Sequence, residues 1–426
     1  MKPPFERPPI PVVVHQHAEE SAMLRHIRSV LARAPHVRLR HLARLDERIA
    51  AHLDGLAVAG SYGTRLCTEA LERPGAGEVF ALAVRLIDER DETALQRLIA
   101  IAAALPDARR GLLSALGWVS APSLRGLVRT LLGGDAVRRE LAIGACRLHA
   151  VDPGPPLLAA LGEDMPALRV AALRAAGALG RRDLLQYAGA ILAEAHEDPA
   201  LAFRAAECAC LLGGRGAAEA TLESLAIGEG PEQAPAERLL LLTIDFARGR
   251  EFVRRIAHAQ EPHAVLRRRV IGATALLGDA TAVPWLIEQM ADEVLARKAG
   301  EAFTLITGAD LADLDLERKP PADLQSGPND DPDDANVALD DDESLPWPDP
   351  ERVRRWWQTH SAGLPTGIRC FMGATATMAH CQHVLREGTQ RQRSVAAQLI
   401  CLLEPGRSLF PIAAPAWRQQ RLLKPQ

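Results

Sequence analysis

The densest group of reactive side chains in this 426-residue sequence lies between residues 311 and 348. Asp330, Asp331, Asp333 and Asp334 surround Pro332, and Asp340, Asp341, Asp342 and Glu343 follow in one run. Carboxylates at this density can dock a basic protein surface, gather a divalent cation, or solvate an insertion. An EF-hand loop needs alternating Asp or Asn, a glycine at the sixth position and a glutamate at the twelfth, and this run lacks that order. The eight acidic residues are therefore the candidate partner-binding site, with a bland solvated insertion as the competing reading. Histidines raise a second possibility, at His15 and His17 and at His380-Cys381-Gln382-His383. His380 and His383 are three apart and would share a helix face. Two histidines and one cysteine make an incomplete zinc set with no matching second pair, so no metal and no cofactor is expected. The sequence has no G-x-S-x-G elbow, phosphate-binding loop, dinucleotide glycine fingerprint or H-E-x-x-H pair, so no enzyme is expected.

The elements that would carry these residues follow from a repeat. Apolar runs close at Gly117, His149, Gly180, Gly213, Gly249, Gly278 and Gly308, at spacings of 32, 31, 33, 36, 29 and 30 residues. A period near 30 holds two helices and two short turns. Most units begin on an acidic or Pro-containing turn followed by arginine, as in Asp135 to Arg138-Arg139, Asp164 to Arg169, Asp198-Pro199 to Arg204, Glu261-Pro262 to Arg267 and Asp292 to Arg297. Asp suits the N-cap, Pro the first helical position, and Gly a left-handed helix end. Each arginine is expected to pair with the acidic turn of its own or the next unit. Units of this size cannot bury their apolar faces alone and must stack.

The chain thus reads as all-α: a HEAT-like α-solenoid of stacked helix pairs with helical caps at both ends. Residues 1–19 form a Pro-rich, flexible N-terminus, 20–84 a helical cap, and 85–310 the repeat array. Residues 311–348 form the acidic loop, and 349–426 a helical C-terminal cap with an extended tail at Phe410–Trp417. Asp349-Pro350 starts the cap's first helix, and Trp347, Trp356 and Trp357 are expected to cover the last unit's apolar face rather than form a binding platform.

Composition narrows the partners. Aromatics are 4% and tyrosines number two, against a 48% apolar content; the apolar part is dominated by Ala and Leu, which favours helices over strands. A net charge of −4 makes nucleic acid an unlikely default partner. Seven scattered cysteines suit thiols packed in a reducing compartment. No run of about 18 apolar residues is present, so no membrane association and a cytoplasmic location are expected.

The array resembles the HEAT-repeat superfamily, including the HEAT-like repeats of phycobilisome lyases, over roughly residues 85–310. A closer resemblance is carried by Leu53–Gly60, Arg109–Trp118, Val283–Met290, Gly300–Gly308, Asn336–Asp340, Leu345–Pro350 and Ala414–Arg418. Together these resemble an uncharacterised family of proteobacterial HEAT-repeat proteins commonly encoded beside type VI secretion genes. The resemblance implies a non-catalytic adaptor or chaperone whose protein partner is a secretion spike, spike tip or effector. Two alternatives stand beside it: an immunity or regulatory protein that sequesters a toxin, and a lyase-like enzyme. A deep pocket of convergent polar groups would favour the enzyme.

Overall fold

The computed structural model describes residues 8–195, 197–258, 264–322, 340 and 342–424. The described residues are almost entirely helical. Three helices open the chain: α1 (Pro11–Leu31), α2 (Leu39–Val58) and α3 (Ser61–Glu69). The segment expected to be flexible through residue 19 is therefore helical from Pro11. Pro11 occupies the first helical turn, where a missing N–H costs nothing, and Val14 is buried beneath it.

Fifteen further helices follow: α4 (Ala76–Glu89), α5 (Glu92–Ala104), α6 (Pro106–Trp118), α7 (Leu127–Leu132), α8 (Ala136–Leu148), α9 (Pro155–Leu161), α10 (Pro166–Leu179), α11 (Leu185–Glu194), α12 (Pro199–Leu211), α13 (Ala217–Ile227), α14 (Gln233–Thr243), α15 (Phe246–His258), α16 (Ala264–Leu277), α17 (Val283–Gln289) and α18 (Ala296–Thr307). From α4 onward, each even-numbered helix packs on the next even-numbered one. From α6 onward, each also packs on the odd-numbered helix before it. Small residues allow the close approach. A Cβ on Gly177 of α10 would lie 3.2 Å from the Cα of Cys208 in α12.

The turn chemistry is mostly as the repeat predicts. Gly180, Gly278 and Gly308 end their helices at φ of 70°, 72° and 74°. Asp135 and Asp198 accept hydrogen bonds from Arg138 N and Leu201 N as N-caps. Gly117 and Gly249 depart from it, because they lie inside α6 and α15. There they face Leu148 and Leu277, whose methyl groups would stand 2.8 and 2.5 Å from an added Cβ. They are packing glycines, not terminators. Asp164 and Asp292 also fall short of a cap, since α10 begins at Pro166 and α18 at Ala296. The arginines pair between units: Arg139 with Glu163 at 2.5 Å, Arg169 with Glu194 at 3.1 Å and Arg267 with Asp292 at 3.2 Å.

Beyond α18 come α19 (Pro350–His360), α20 (Met378–Glu387), α21 (Gln390–Leu403) and α22 (Ala416–Leu423). Two short antiparallel pairs join them, β1 (Glu317–Arg318) with β2 (Trp347–Pro348), and β3 (Cys370–Phe371) with β4 (Ala374–Thr375). Phe410 to Pro415 is non-helical, but Trp417 belongs to α22 rather than to an extended tail.

The C-terminal arm has a definite task. Helix C-termini leave carbonyls without intrahelical donors, and this arm supplies donors to one helix after another. The Arg369 guanidinium donates to the carbonyls of Leu241, Leu242 and Ile244. Cys370 N–H donates to Gly278 O at 2.8 Å, and Met372 N–H to Leu305 O at 2.7 Å. Leu409 N–H donates to Ala178 O at 2.8 Å. Arg418 donates to Gly117 O at 2.9 Å and Leu148 O at 3.2 Å. The arm finally reaches α1 and α2. Arg28 donates to Ala414 O at 2.9 Å, and Gln390 N–H to Val37 O at 2.7 Å. Arg38 also pairs with Asp310, just past α18, at 3.2 Å. The two ends of the helical array are thereby bonded to each other.

Two consequences are measurable. At Gly278 an added Cβ would sit 2.1 Å from Cys370 O, at a φ that side chains resist. Gly278→Ala is expected to cost about 2–4 kcal/mol, the sum of the left-handed penalty and the displaced arm. Gly189, exposed on α11 with nothing within 4 Å, is the control. Gly189→Ala is expected to raise stability by up to about 1 kcal/mol, and urea midpoints of the two variants should move in opposite directions.

His149 caps the end of α8, its Nε2 2.8 Å from Leu116 O. Burial lowers its pKa below the ordinary 6.5, partly offset by that hydrogen bond, and Arg418 lowers it further. The unfolded chain therefore binds the proton more readily than the folded one. The stability this neutral ring confers is complete above about pH 6.5 and declines as pH falls below it. The drop in urea midpoint from pH 7.5 to 5.5 should be smaller in His149→Gln than in the unaltered chain.

Candidate functional site

The bonded ends of the array enclose a cleft of about 600 Å³, within the range of ligand pockets. Arg238 of α14, Leu276 of α16, and Lys298, Glu301 and Leu305 of α18 line it on one side. Arg38 and His41 at the start of α2 and Arg391 and Val395 of α21 line the other, with Asp310, Asp313, Glu317 and Leu345 also contributing. No single unit of the array contains the site. It exists because the C-terminal arm returns α21 to helices α12 and α14 and to the α1–α2 link.

Its charges are arranged, not scattered. Glu301 accepts from Lys298 Nζ at 2.7 Å and pairs with Arg391 at 2.8 Å. Burial would raise the Glu301 carboxyl, but these two cations outweigh it and hold the group below its ordinary range. The group therefore remains an ionised carboxylate at neutral pH. Arg38 is held by Asp310 and by Glu387 O at 2.7 Å. Arg238 differs from both. Its Nε donates to Gln398 Oε1 at 2.9 Å and its Nη2 to Ser394 Oγ at 2.8 Å, both neutral groups on α21. No carboxylate lies within ion-pair distance of it among the described residues. Burial, with Arg391 adding to it and Glu301 partly offsetting it, pushes the Arg238 pKa down to about 10, so the side chain stays a cation at neutral pH. His36 and His41 are both lowered, first by burial, and are neutral at pH 7.

The acidic run is placed differently from the expectation. Asp330, Asp331, Asp333, Asp334 and Asp341 lie outside the described residues. Asp342 is 3% exposed and grips Arg268 through both oxygens, at 2.6 and 2.8 Å. Asp340 pairs with Arg297 at 2.7 Å. These two carboxylates serve as internal counter-ions and do not form a free docking surface. Glu343 is exposed. Trp347 is buried with the Arg297 guanidinium 4.7 Å from its ring centroid, and Trp356 meets Phe303 edge-on at 5.5 Å. Both pack against α18, and Trp357 is partly buried against the same core.

His17 and His380 are held by neighbours, while His15 and His383 are exposed. His380 Nε2 lies 2.8 Å from Phe371 O, Cys381 is fully buried, and His17 Nδ1 lies 3.1 Å from His52 Nδ1. Among the described residues no three His, Cys, Asp or Glu side chains gather as a metal site. All seven cysteines are buried. Burial pushes the thiols of Cys67, Cys208, Cys210 and Cys401 up to about 12, and those of Cys370 and Cys381 up to about 11. None of these six is poised as a thiolate nucleophile.

Sequence reading missed Arg238, Glu301 and Arg391 as a group. One signal was present. Glu237 and Arg238 stand beside four consecutive leucines, Leu239 to Leu242, all buried, and charges in such a run need partners or a cavity. Among the described residues no helix is long and apolar enough to cross a membrane. Set against protein-family models, curated proteins and solved structures, the chain gives no match.

Proposed function

We propose that this all-helical chain is a HEAT-like solenoid that acts as a non-catalytic adaptor, receiving a segment of a partner protein in the cleft between its bonded ends. The observation that carries the reading is the composition of that cleft. It combines apolar side chains such as Leu276, Leu305 and Val395 with charges from four separate parts of the chain. An extended segment needs that combination, apolar contact for affinity and a few fixed polar groups for register. The resemblance to HEAT-repeat proteins encoded beside type VI secretion genes supports a cytoplasmic accessory role and makes a spike, spike tip or effector the partner to look for.

The same cleft also favours the lyase-like alternative, which calls for convergent polar groups in a pocket. Against it stands Glu301, whose carboxylate is occupied by two cations and is a poor proton donor at neutral pH. A photo-crosslinking residue at Leu345, on the lining of the cleft, tests the adaptor in the native host. Recovery of one secretion-associated protein, lost when the crosslinker is moved to exposed Val58, is the expected result. Equal capture of unrelated proteins at both positions, or turnover of a small molecule by the purified chain, overturns it.

A further inference from the structure

Several inter-unit arginines of this chain reach carboxylates, whereas others, such as Arg25 on Ser114 Oγ and Arg369 on helix-end carbonyls, do not. Arg109 pairs with Glu140, Arg139 with Glu163, Arg269 with Glu237 and Arg297 with Asp340. Arg238 lies among the same helices, lines a cleft, and has none. Its hydrogen bonds use Nε and Nη2, while Nη1 has no hydrogen-bond partner among the described residues. Glu301 acts on it only at a distance, without a direct ion pair, and a half-buried guanidinium lacking a paired carboxylate costs stability. Gln398 and Ser394 do not neutralise it. They fix its plane, as second-layer groups do for a ligand-binding side chain.

We propose that Arg238 is a carboxylate-anchoring subsite, which receives the side chain of an Asp or Glu in the partner segment. The proposal rests on the adaptor reading of the cleft. The end of a guanidinium offers paired N–H groups that match a carboxylate two to two. Arg391 and Lys298 reinforce the anion's attraction but are already donating to Glu301. A single free guanidinium end beside an existing carboxylate suits one monoanionic group better than a phosphate, which is commonly gripped by several donors at once. The neighbouring Leu276, Leu305 and Val395 would take apolar residues flanking the acidic one.

The probe is a heptapeptide phage library selected on the full chain, followed by fluorescence anisotropy with the best selected peptide. The selected peptides are expected to share one acidic position. Arg238→Gln should weaken binding at least tenfold, and amidating the peptide's acidic residue should weaken it equally. Combining the two changes should add no further loss, because both remove the same contact. Arg125→Gln, at an exposed site away from the cleft, should bind as the unaltered chain does. Should Arg238→Gln fold poorly, Gln398→Leu keeps the charge but frees the guanidinium, and must weaken binding at least threefold. Peptides that bind without a shared acidic residue, or equally well to Arg238→Gln, overturn the subsite and leave the adaptor standing. A library that yields no binder, with no crosslinked partner in the host, overturns both.

Discussion

Asp46→Ala is expected to lower stability by about 3–5 kcal/mol and to release the C-terminal arm. Asp46 is fully buried on α2. It pairs with Arg28 of α1, Nε to Oδ1 at 2.5 Å and Nη2 to Oδ2 at 3.2 Å, and accepts Ala416 N–H at 2.6 Å. One carboxylate thus joins the first helix, the second and the last. Removing it leaves the Arg28 side chain, 13% exposed, without its counter-ion. It also leaves the first N–H of α22 unsatisfied. Loss of a partner from a buried pair costs more than the pair itself is worth, because the surviving charge stays desolvated. The checks are a urea titration and limited proteolysis. The variant should be cleaved between α21 and α22 under conditions that leave the unaltered chain intact. Asp46→Asn retains one acceptor for Ala416 and should fall between the two. A variant with an unchanged midpoint would show that the arm is held by its other contacts alone.

Asp342→Ala is the second large effect, expected near 3 kcal/mol. The residue was singled out as part of an acidic docking surface, and the structure gives it a different occupation. Its two oxygens hold Arg268, and its backbone carbonyl accepts from Arg297 at 3.1 Å. Asp340 accepts from its N–H at 2.9 Å and pairs with Arg297 in turn. Arg297 also lies over Trp347. The change should therefore loosen Trp347 as well as the ion pairs. Tryptophan fluorescence should shift to longer wavelength at denaturant concentrations below the main transition. Glu343→Ala, at an exposed neighbour, should move neither the midpoint nor the emission. If both variants behaved alike, the run would be a solvated surface after all.

How far the sequence could be read depended on how local each requirement is. A left-handed helix end is decided by three or four residues, so Gly180, Gly278 and Gly308 were legible. The same letter at Gly117 and Gly249 answers a neighbouring helix instead, and its leucine partner is about 30 residues away. The pairs of Arg139, Arg169 and Arg267 were legible because each partner lies at nearly the same distance along the chain, whereas Arg204 turns to Glu207 on its own helix. Pro11 misled because proline-rich runs read as extended, although one proline at a helix start is favourable. The cleft was illegible for a different reason. Arg238 and Gln398 are 160 residues apart and Glu301 and Arg391 are 90 apart. Only the return of the C-terminal arm brings them together, and that arm is held through backbone carbonyls, which every helix end possesses alike.

The bonded ends also bear on how such a chain can change over generations. An open stack of units tolerates gain or loss of a unit, since each touches only its neighbours. Here Arg28 bonds Ala414 across 386 residues and Arg38 pairs with Asp310 across 272. Adding or deleting one helix pair would rotate one end away from the other and break both. A helix pair could therefore not be gained or lost without reopening the closure. The described parts of the 311–348 segment are tied down too, through the β1–β2 pair and through Asp340 and Asp342 on Arg297 and Arg268.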